Sequence, residues 1–250
     1  MPDEYGPETY GDRIAAIYDR WLEDAGPAGT TAPAVEFLAS LAGDGPVLEL
    51  GIGTGRIALP LAARGVEIHG VDASTEMVAR LRGKPGGDGI PITIGDFAGV
   101  PVDGAYSMIF VAFNTIFGLL TQDDQVRCFR ESAAHLAPGG AFVLEAFVPD
   151  LSRFDRGQRV DATLVQNDRV LLDAARHDPA TQTVSASHVL LSEEGTRIYP
   201  VRLRYAWPSE LDLMARLAGM RLRERFGGWN REPFTAASGG HVSVYEREPA

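Results

Sequence analysis

The chain has 250 residues, of which 45% are hydrophobic and 23% charged, and it carries a net charge of −11 at pH 7. That acidity argues against a sequence-independent grip on nucleic acid, which needs a basic surface to displace counterions, and against docking on anionic membranes. Length and composition suit a single domain over residues 1–250, with ample material for one core.

No apolar run reaches membrane-spanning length, and the acidic start Met1-Pro2-Asp3-Glu4 lacks the basic and apolar regions of a signal peptide. The lone Cys128 cannot form an intrachain disulfide, which fits a reducing, cytoplasmic compartment. It sits in a helical pattern and reads as packing. Arg216, Arg221, Arg223 and Arg225 read as a solvated face rather than a binding patch.

Ile14, Ile17, Tyr18 and Trp21 recur at helical spacing and predict one amphipathic helix over 7–22. A second helix is predicted over 33–41, with Pro33 in its first turn. Val47-Leu48-Glu49-Leu50 reads as a short buried strand, followed by Gly51-Ile52-Gly53-Thr54-Gly55 and a helix through Arg64. Strands over 66–71 and 90–94 bracket a helix over 74–81, for which Ser74 is a suitable N-cap. A strand over 106–112 follows the turn signal Asp103-Gly104, and a helix over 122–136 stops at Pro138-Gly139-Gly140 before a strand over 141–147. Strands separated by helices of this length call for parallel pairing through right-handed crossovers.

After Pro149 the rhythm changes. Segments 170–175, 183–191 and 196–206 read as strands with no helix between them. A helix over 208–218 and strands over 220–226 and 241–247 complete the pattern. The fold class is therefore α/β: a seven-stranded, mostly parallel sheet flanked by helices, with an antiparallel β insert after strand five.

Glu49-Leu50-Gly51-Ile52-Gly53-Thr54-Gly55 lies at a strand-to-helix turn, where glycines let a ligand approach the backbone. A dinucleotide fingerprint wants glycine at position 56, where this chain has Arg56. A carboxylate at Glu49 repels a pyrophosphate but suits a ligand bearing an ammonium and a sulfonium. Charge complementarity thus favours S-adenosylmethionine over NAD. Asp72, at the end of strand two, is placed to hold both ribose hydroxyls. Asp96, after strand three, is placed to accept from the adenine amino group, with Phe97 packing nearby.

Together these segments resemble the class I S-adenosylmethionine-dependent methyltransferases over nearly the whole chain. The resemblance implies a Rossmann-like sheet, S-adenosylmethionine as methyl donor, and transfer to O, N or C of a small metabolite in specialised metabolism. It implies that Gly51 and Gly53 line the methionine moiety, with Glu49 near its amino group and Asp72 on the ribose. Ala73 and Met77 then flank adenine, Asp96 and Phe97 read its edge, and Ala112 supplies backbone contacts.

The N-terminus and the segment after strand four are similar to those of deoxyamino-sugar N-methyltransferases. That likeness implies an N-terminal helical lid over 1–30 whose Tyr10 and Tyr18, two turns apart, close on the cofactor. It makes Phe113, Asn114 and Phe117 candidate acceptor contacts, although Gly118 stands where such relatives often carry a histidine. Arg231, in the late loop Gly227-Gly228-Trp229-Asn230-Arg231, is the candidate contact for an anionic acceptor.

The insert, placed at 152–206, is expected to cover the acceptor site. A neutral amine needs no base in the transfer step, whereas a hydroxyl gains from one, and His188 in the insert is the candidate. No group of residues has metal-ligand spacing and no Gly-x-Ser-x-Gly elbow occurs, so neither a metal nor a nucleophilic triad is expected. The expected partner is a small-molecule acceptor, and a homodimer is compatible with the sequence.

Three other readings stay open. One is a protein that keeps the S-adenosylmethionine pocket but acts as a cyclase or a non-catalytic partner. A dinucleotide oxidoreductase is disfavoured by Glu49 and Arg56, and a nucleic-acid or protein methyltransferase by the acidic balance.

Overall fold

The computed structural model describes residues 5–25 and 31–248, so the parts of the expected lid at 1–4 and 26–30 lie outside the described residues. The chain opens with α1 (Thr9–Ile14), α2 (Tyr18–Ala25) and α3 (Thr31–Ala39). Then β1 (Val47–Leu50), α4 (Ala58–Ala63), β2 (Ile68–Asp72), α5 (Thr75–Arg82) and β3 (Ile92–Ile94) alternate. The run β4 (Tyr106–Val111), α6 (Gln122–His135) and β5 (Leu136–Phe147) closes the first half of the fold. Four successive strands follow: β6 (Gln158–Val165), β7 (Arg169–Asp178), β8 (Thr183–Ser192) and β9 (Gly195–Arg204). The chain finishes with α7 (Pro208–Leu217), β10 (Met220–Phe226) and β11 (Gly240–Arg247).

Alternation along the central strands sets the layers, because successive strand side chains point to opposite faces. Leu48, Leu50, Ile109, Val111, Phe142 and Leu144 join one core with Phe129 of α6 and Leu211 of α7. Val47, Met108, Phe110, Ala141 and Val143 join the other with Leu38 of α3 and Leu61 of α4. Both faces of these strands are buried, as expected of a parallel sheet covered by helices on each side. Cys128 lies fully buried in the first core, where burial pushes its thiol up to about 12. It is packing.

The main sheet has seven strands in the order β10-β11-β5-β4-β1-β2-β3. β1 pairs parallel with β2 and β4, β2 with β3, and β4 with β5, while β11 is antiparallel to both β5 and β10. The chain order reverses between β1 and β4. At such a point the connections leave in opposite directions and a crevice opens at the carboxyl ends of the two strands.

The insert forms its own four-stranded antiparallel sheet, β6-β7-β8-β9. Three strands were expected there; β6 is the addition. Its inward positions Arg159 and Asp161 are charged, while its apolar Val160 and Val165 are 68% and 71% exposed. That inverts the pattern by which a strand is recognised. Arg159 reaches across to Asp173 of β7 at 2.6 Å, so the inward charges are paired. The joint between insert and core is polar and buried: Arg204 donates to Gln125 Oε1 and to Glu210 Oε1, both at 2.7 Å.

The helix expected over 7–22 is broken. α1 ends at Ile14, and the chain makes one tight turn, with the Ile17 amide donating to the Ile14 carbonyl at 2.9 Å, before α2 begins. The reason is tertiary. α1 docks on the start of α5, whereas α2 docks on the loop after β1, and one straight helix does not meet both surfaces. At Pro138-Gly139-Gly140 the expected turn is carried inside β5: Tyr106 pairs with Leu136, and Met108 with Ala141.

Among the described residues no helix is long and apolar enough to cross a membrane, and no group of three or more His, Cys, Asp or Glu is arranged to hold a metal.

Candidate active site

The crevice starts where β1 gives way to its loop. The Gly51 and Ile52 amides both donate to the Val71 carbonyl, at 2.8 and 3.0 Å, turning the chain sharply off the strand. Gly51 and Gly53 hold φ of +73° and +54°, a region glycine enters without strain. A Cβ at Gly51 would strike the Thr115 methyl, so close packing accounts for that glycine. A Cβ at Gly53 would meet nothing nearer than the Gly51 carbonyl at 4.0 Å. Gly53 borders open space.

Asp72 ties the loop to the end of β2. Its Oδ2 accepts from the Gly53 amide at 2.7 Å and its Oδ1 from the Ser74 amide at 2.8 Å. Each oxygen retains capacity for a further donor. Burial raises the Asp72 pKa in spite of both bonds.

Glu49 is only 5% exposed, and its Oε2 has no hydrogen-bond partner among the described residues. The Ala58 amide donates to this carboxylate. Burial holds its pKa well above the usual range, with the Arg56 charge opposing and the Asp72 charge adding. A buried acceptor left unsatisfied costs about 1–3 kcal/mol. A ligand that supplies the missing donor removes that cost.

Arg56 stands at the centre of the crevice. Its guanidinium lies 3.3 Å from the centroid of the Phe113 ring, and its charge acts on Tyr18, Glu49, Glu145 and Tyr10. Burial lowers its pKa. Phe113 and Asn114 both adopt left-handed backbone, φ +54° and +63°. Each such non-glycine residue costs about 1–3 kcal/mol and persists only where its surroundings hold it. Here the Phe113 amide donates to Glu145 Oε2, the Asn114 amide to the Glu145 carbonyl, and the Phe147 amide to Asn114 Oδ1. Burial pushes Glu145 up to about 7, against the two amides and Arg56.

The N-terminal helices lie over these loops. Gly11 packs so tightly on Ser74 and Met77 that a Cβ there would clash. Ser74 Oγ donates to Asp12 Oδ1 and Thr54 Oγ1 to Asp19 Oδ1, each at 2.6 Å, while Lys84 Nζ is 2.7 Å from Asp19 Oδ2. Burial raises the pKa of both Tyr10 and Tyr18. Between these helices and the inner face of the insert is a cavity of about 90 Å³, walled by Ile14, Ile17, Trp21, Leu171, His188 and Tyr199.

Two buried carboxyls with raised pKa fix the sign of a pH effect on stability. The folded state holds protons on Glu49 and Glu145 more tightly than the unfolded chain does, so stability falls as pH rises through the folded pKa values. His241, pushed down to about 4 by burial, acts in the opposite direction, but only below its ordinary 6.5. Between about pH 6.5 and 8 the carboxyls therefore prevail, with a loss on the order of 1 kcal/mol and about 2–4 °C in Tm. Differential scanning fluorimetry of ligand-free protein checks this. A flat or rising Tm over that window would contradict it.

Comparison with known proteins now decides the family. The methyltransferase domain family matches residues 47–140, the span that holds β1, the glycine loop, β2 and β4. The CcbJ methyltransferase from Streptomyces caelestis is 46% identical in sequence, with 98% of this chain and 100% of that one covered and a TM-score of 0.92. The chain belongs to the class I S-adenosylmethionine-dependent methyltransferases. The cypemycin N-terminal methyltransferase of a Streptomyces species is 27% identical over 97% of this chain and 99% of its own length. CalS10, an S-adenosylmethionine-bound amino pentose methyltransferase from Micromonospora echinaspora involved in calicheamicin biosynthesis, shares the fold at 21% identity. It covers 93% of this methyltransferase and 97% of its own chain, with a TM-score of 0.71.

The methyl donor of this methyltransferase is S-adenosylmethionine, and the residues present fit it. The orphaned Glu49 oxygen calls for a donor such as an ammonium, and the space beside Gly53 admits a ligand against the backbone.

Of the expected cofactor contacts, Tyr10, Tyr18, Glu49, Gly51, Gly53 and Asp72 gather in or around the crevice, and Ala73 follows Asp72 directly. Met77, 4% exposed, packs with Ile14, Ala15 and Tyr199 beneath α1. Asp96 caps the turn after β3, accepting from the Ala98 amide at 2.9 Å, and Phe97 packs half-buried on the core. The Ala112 carbonyl, just after β4, accepts from the Thr115 amide at 3.2 Å.

The structure places three acceptor-side candidates as follows. Phe117 is fully buried and edge-on to Phe147, ring centroids 4.8 Å apart, so it is core beneath the loop and not open wall. Arg231 is exposed and directs its guanidinium onto Ser40 Oγ at 3.2 Å and the Phe37 and Phe226 rings, fastening the late loop to α3. His188 sits in the insert, its Nδ1 3.3 Å from Asp173 Oδ1 and its ring 5.0 Å from Trp21, and it walls the cavity between the insert and the N-terminal helices. The titratable group at the ends of β4 and β5 is Glu145. Neither Glu145 nor Arg56 was a sequence candidate. The signal for Glu145 was a single carboxylate inside the apolar run Ala141-Phe142-Val143-Leu144-Glu145-Ala146-Phe147.

Proposed function

We propose that this methyltransferase transfers the methyl group to the nitrogen of a small-molecule amine in specialised metabolism. The observation that carries the cofactor half is the buried, unpartnered Glu49 Oε2 beside the opening at Gly53. On this reading Glu49 takes the ammonium of the methionine moiety and Arg56, across the same crevice, takes its carboxylate. Asp72 offers its remaining lone pairs to the ribose hydroxyls. Ala73 and Met77 flank the adenine, and Asp96 with Phe97 lies at its edge. Ala112 contributes backbone at the end of β4. Tyr10 and Tyr18 close over the bound molecule, and the contacts of Asp12 and Asp19 hold α1 and α2 in place as a lid.

When bound, S-adenosylmethionine supplies an electrophilic methyl carbon, to which the acceptor's lone pair bonds as the C–S pair returns to sulfur. The chain's own part is to bring the partners into line, which can account for much of the barrier reduction, and to exclude water. The insert serves that end, with Tyr199, His188 and Leu171 forming the far wall of the cavity against α1 and α2. Phe113 and Asn114, in the loop after β4, are the acceptor contacts on the side of the strand ends.

The amine reading is supported by charge. The carboxyls of Glu49, Asp72 and Glu145 gather in the crevice around Arg56, and burial raises the pKa of each. A cation arriving there meets groups that gain from ionising, which favours acceptors that carry or develop positive charge. The names of the relatives point the same way: one is the cypemycin N-terminal methyltransferase and one an amino pentose methyltransferase. The test is S-adenosylhomocysteine release with matched probes, piperidine against cyclohexanol and 1,3-cyclohexanedione. Turnover with the amine and not with the other two is expected. Turnover with the alcohol or the carbon acid in its place would overturn the nitrogen assignment.

A further inference from the structure

Glu145 stands at the carboxyl ends of the central strands, the edge at which open α/β sheets place their ligands. It lies at the carboxyl end of β5, beside the end of β4, and its side chain reaches over to the loop that follows β4. The Phe113 amide donates to the carboxylate and the Asn114 amide to the carbonyl of the same residue, so both ends of Glu145 are held, and Arg56 faces it from the glycine loop. A carboxylate accepts up to about four hydrogen bonds, so this one retains capacity for a ligand. The strained backbone at Phe113 and Asn114 is where such a constraint is expected to serve a site.

We propose that Glu145 is the catalytic proton acceptor, taking the proton of the incoming ammonium so that the nitrogen lone pair is released for transfer. This rests on the amine reading above. An alkylammonium has no lone pair and cannot attack carbon. In the step proposed, the N–H bond of the ammonium breaks, its electron pair stays on nitrogen, and the proton passes to a Glu145 oxygen. After the product leaves, Glu145 returns that proton to solvent.

The surroundings make the residue suitable. Burial brings Glu145 to about 7, so it is a stronger base than an exposed glutamate and still half ionised near neutrality. Among the described residues Arg56 is the charged group that acts on it. On the adjoining strand, Glu145 pairs with Val242, which leaves His241 on the opposite face of the sheet, where Arg225 and Asp212 act on it. Tyr10 and Tyr18 belong to the same cluster through Arg56.

The test is Glu145→Gln, whose amide oxygen can still accept from Phe113 but cannot titrate. With piperidine as probe, kcat/KM near pH 7 is expected to fall about 10²-fold. The loss should shrink to a few-fold near pH 10, where more of the amine is already neutral. Affinity for S-adenosylhomocysteine should stay within about twofold, while calorimetric binding of piperidine to the protein loaded with S-adenosylhomocysteine should weaken at least fivefold. A loss independent of pH would make Glu145 only a clamp on the Phe113 backbone and overturn the proposal, as would an unchanged rate.

Should the variant fail to fold, a measurement on the wild-type protein tests the same role. The acid limb of kcat/KM should lie near 7 with both morpholine and piperidine, ring amines of widely different basicity. A limb that follows the basicity of the probe would overturn the role of Glu145. Transfer to cyclohexanol in place of either amine would instead remove the amine reading on which it rests.

Discussion

Gly53→Val is expected to weaken S-adenosylmethionine binding by more than about 100-fold, the largest single effect anticipated in this protein. Two physical consequences meet at this position. The φ of +54° is hostile to a β-branched residue, and the side chain would project into the space bordering the glycine loop. The first is a stability effect of about 1–3 kcal/mol, equivalent to a few degrees in Tm for a chain of this size. The second is a loss of ligand space. Gly65→Val separates them. Gly65 also has positive φ, +82°, and a Cβ there meets nothing within 4 Å, but it lies at the end of α4 away from the crevice. It should therefore show the drop in Tm and retain affinity. Calorimetry with S-adenosylhomocysteine on both variants reads this out, and equal affinity losses in the two would remove Gly53 from the site.

Glu49→Gln is expected to stabilise the ligand-free protein and to weaken cofactor binding about 10- to 100-fold. The substitution keeps the shape and an acceptor for the Ala58 amide, but it removes a charge that is buried with one oxygen unpartnered. A charged hydrogen bond to the methionine ammonium is worth about 1.5–3 kcal/mol, which sets the size of the affinity loss. The gain in Tm should be greatest at pH 8, where Glu49 is most fully ionised, and should vanish towards acid. Fluorimetry across pH together with titration calorimetry checks both halves. A variant both less stable and fully able to bind would mean that Glu49 is a structural carboxylate.

The opposite signs of those two effects describe how the site is built. Asp72, Glu49 and Glu145 all have raised pKa values because the fold buries them before any ligand supplies compensating charge. A protein in this condition gives up stability to hold a pocket suited to a cationic ligand, and recovers it on binding.

The parts legible in the sequence were those with short-range causes. The glycine loop, Asp72 after β2 and the strand–helix alternation each follow from backbone freedom, side-chain period or turn chemistry. β6 was not legible, since its apolar Val160 and Val165 are exposed while its charged Arg159 and Asp161 are the less exposed positions beside them. The break between α1 and α2 was hidden for another reason. No proline or glycine marks it, and the cause is docking onto Ser74 and Thr54, residues far away in the chain. Arg56 was seen only as a missing glycine, because its importance lies in what it approaches across three loops. Arg231 and His188 were chosen for charge and ring chemistry, but the direction of a side chain leaving a loop or insert is set by tertiary packing, here on Phe37 and on Trp21.

The central claim is that the crevice between β1 and β4 holds the methionine end of S-adenosylmethionine through Glu49, with the ribose on Asp72. A crystal structure of the S-adenosylhomocysteine complex tests it most directly. The account predicts the ligand's amino nitrogen within hydrogen-bonding distance of Glu49 Oε2 and both ribose hydroxyls on the Asp72 carboxylate. A ligand seated elsewhere, with that Glu49 oxygen still lacking a partner, would contradict it.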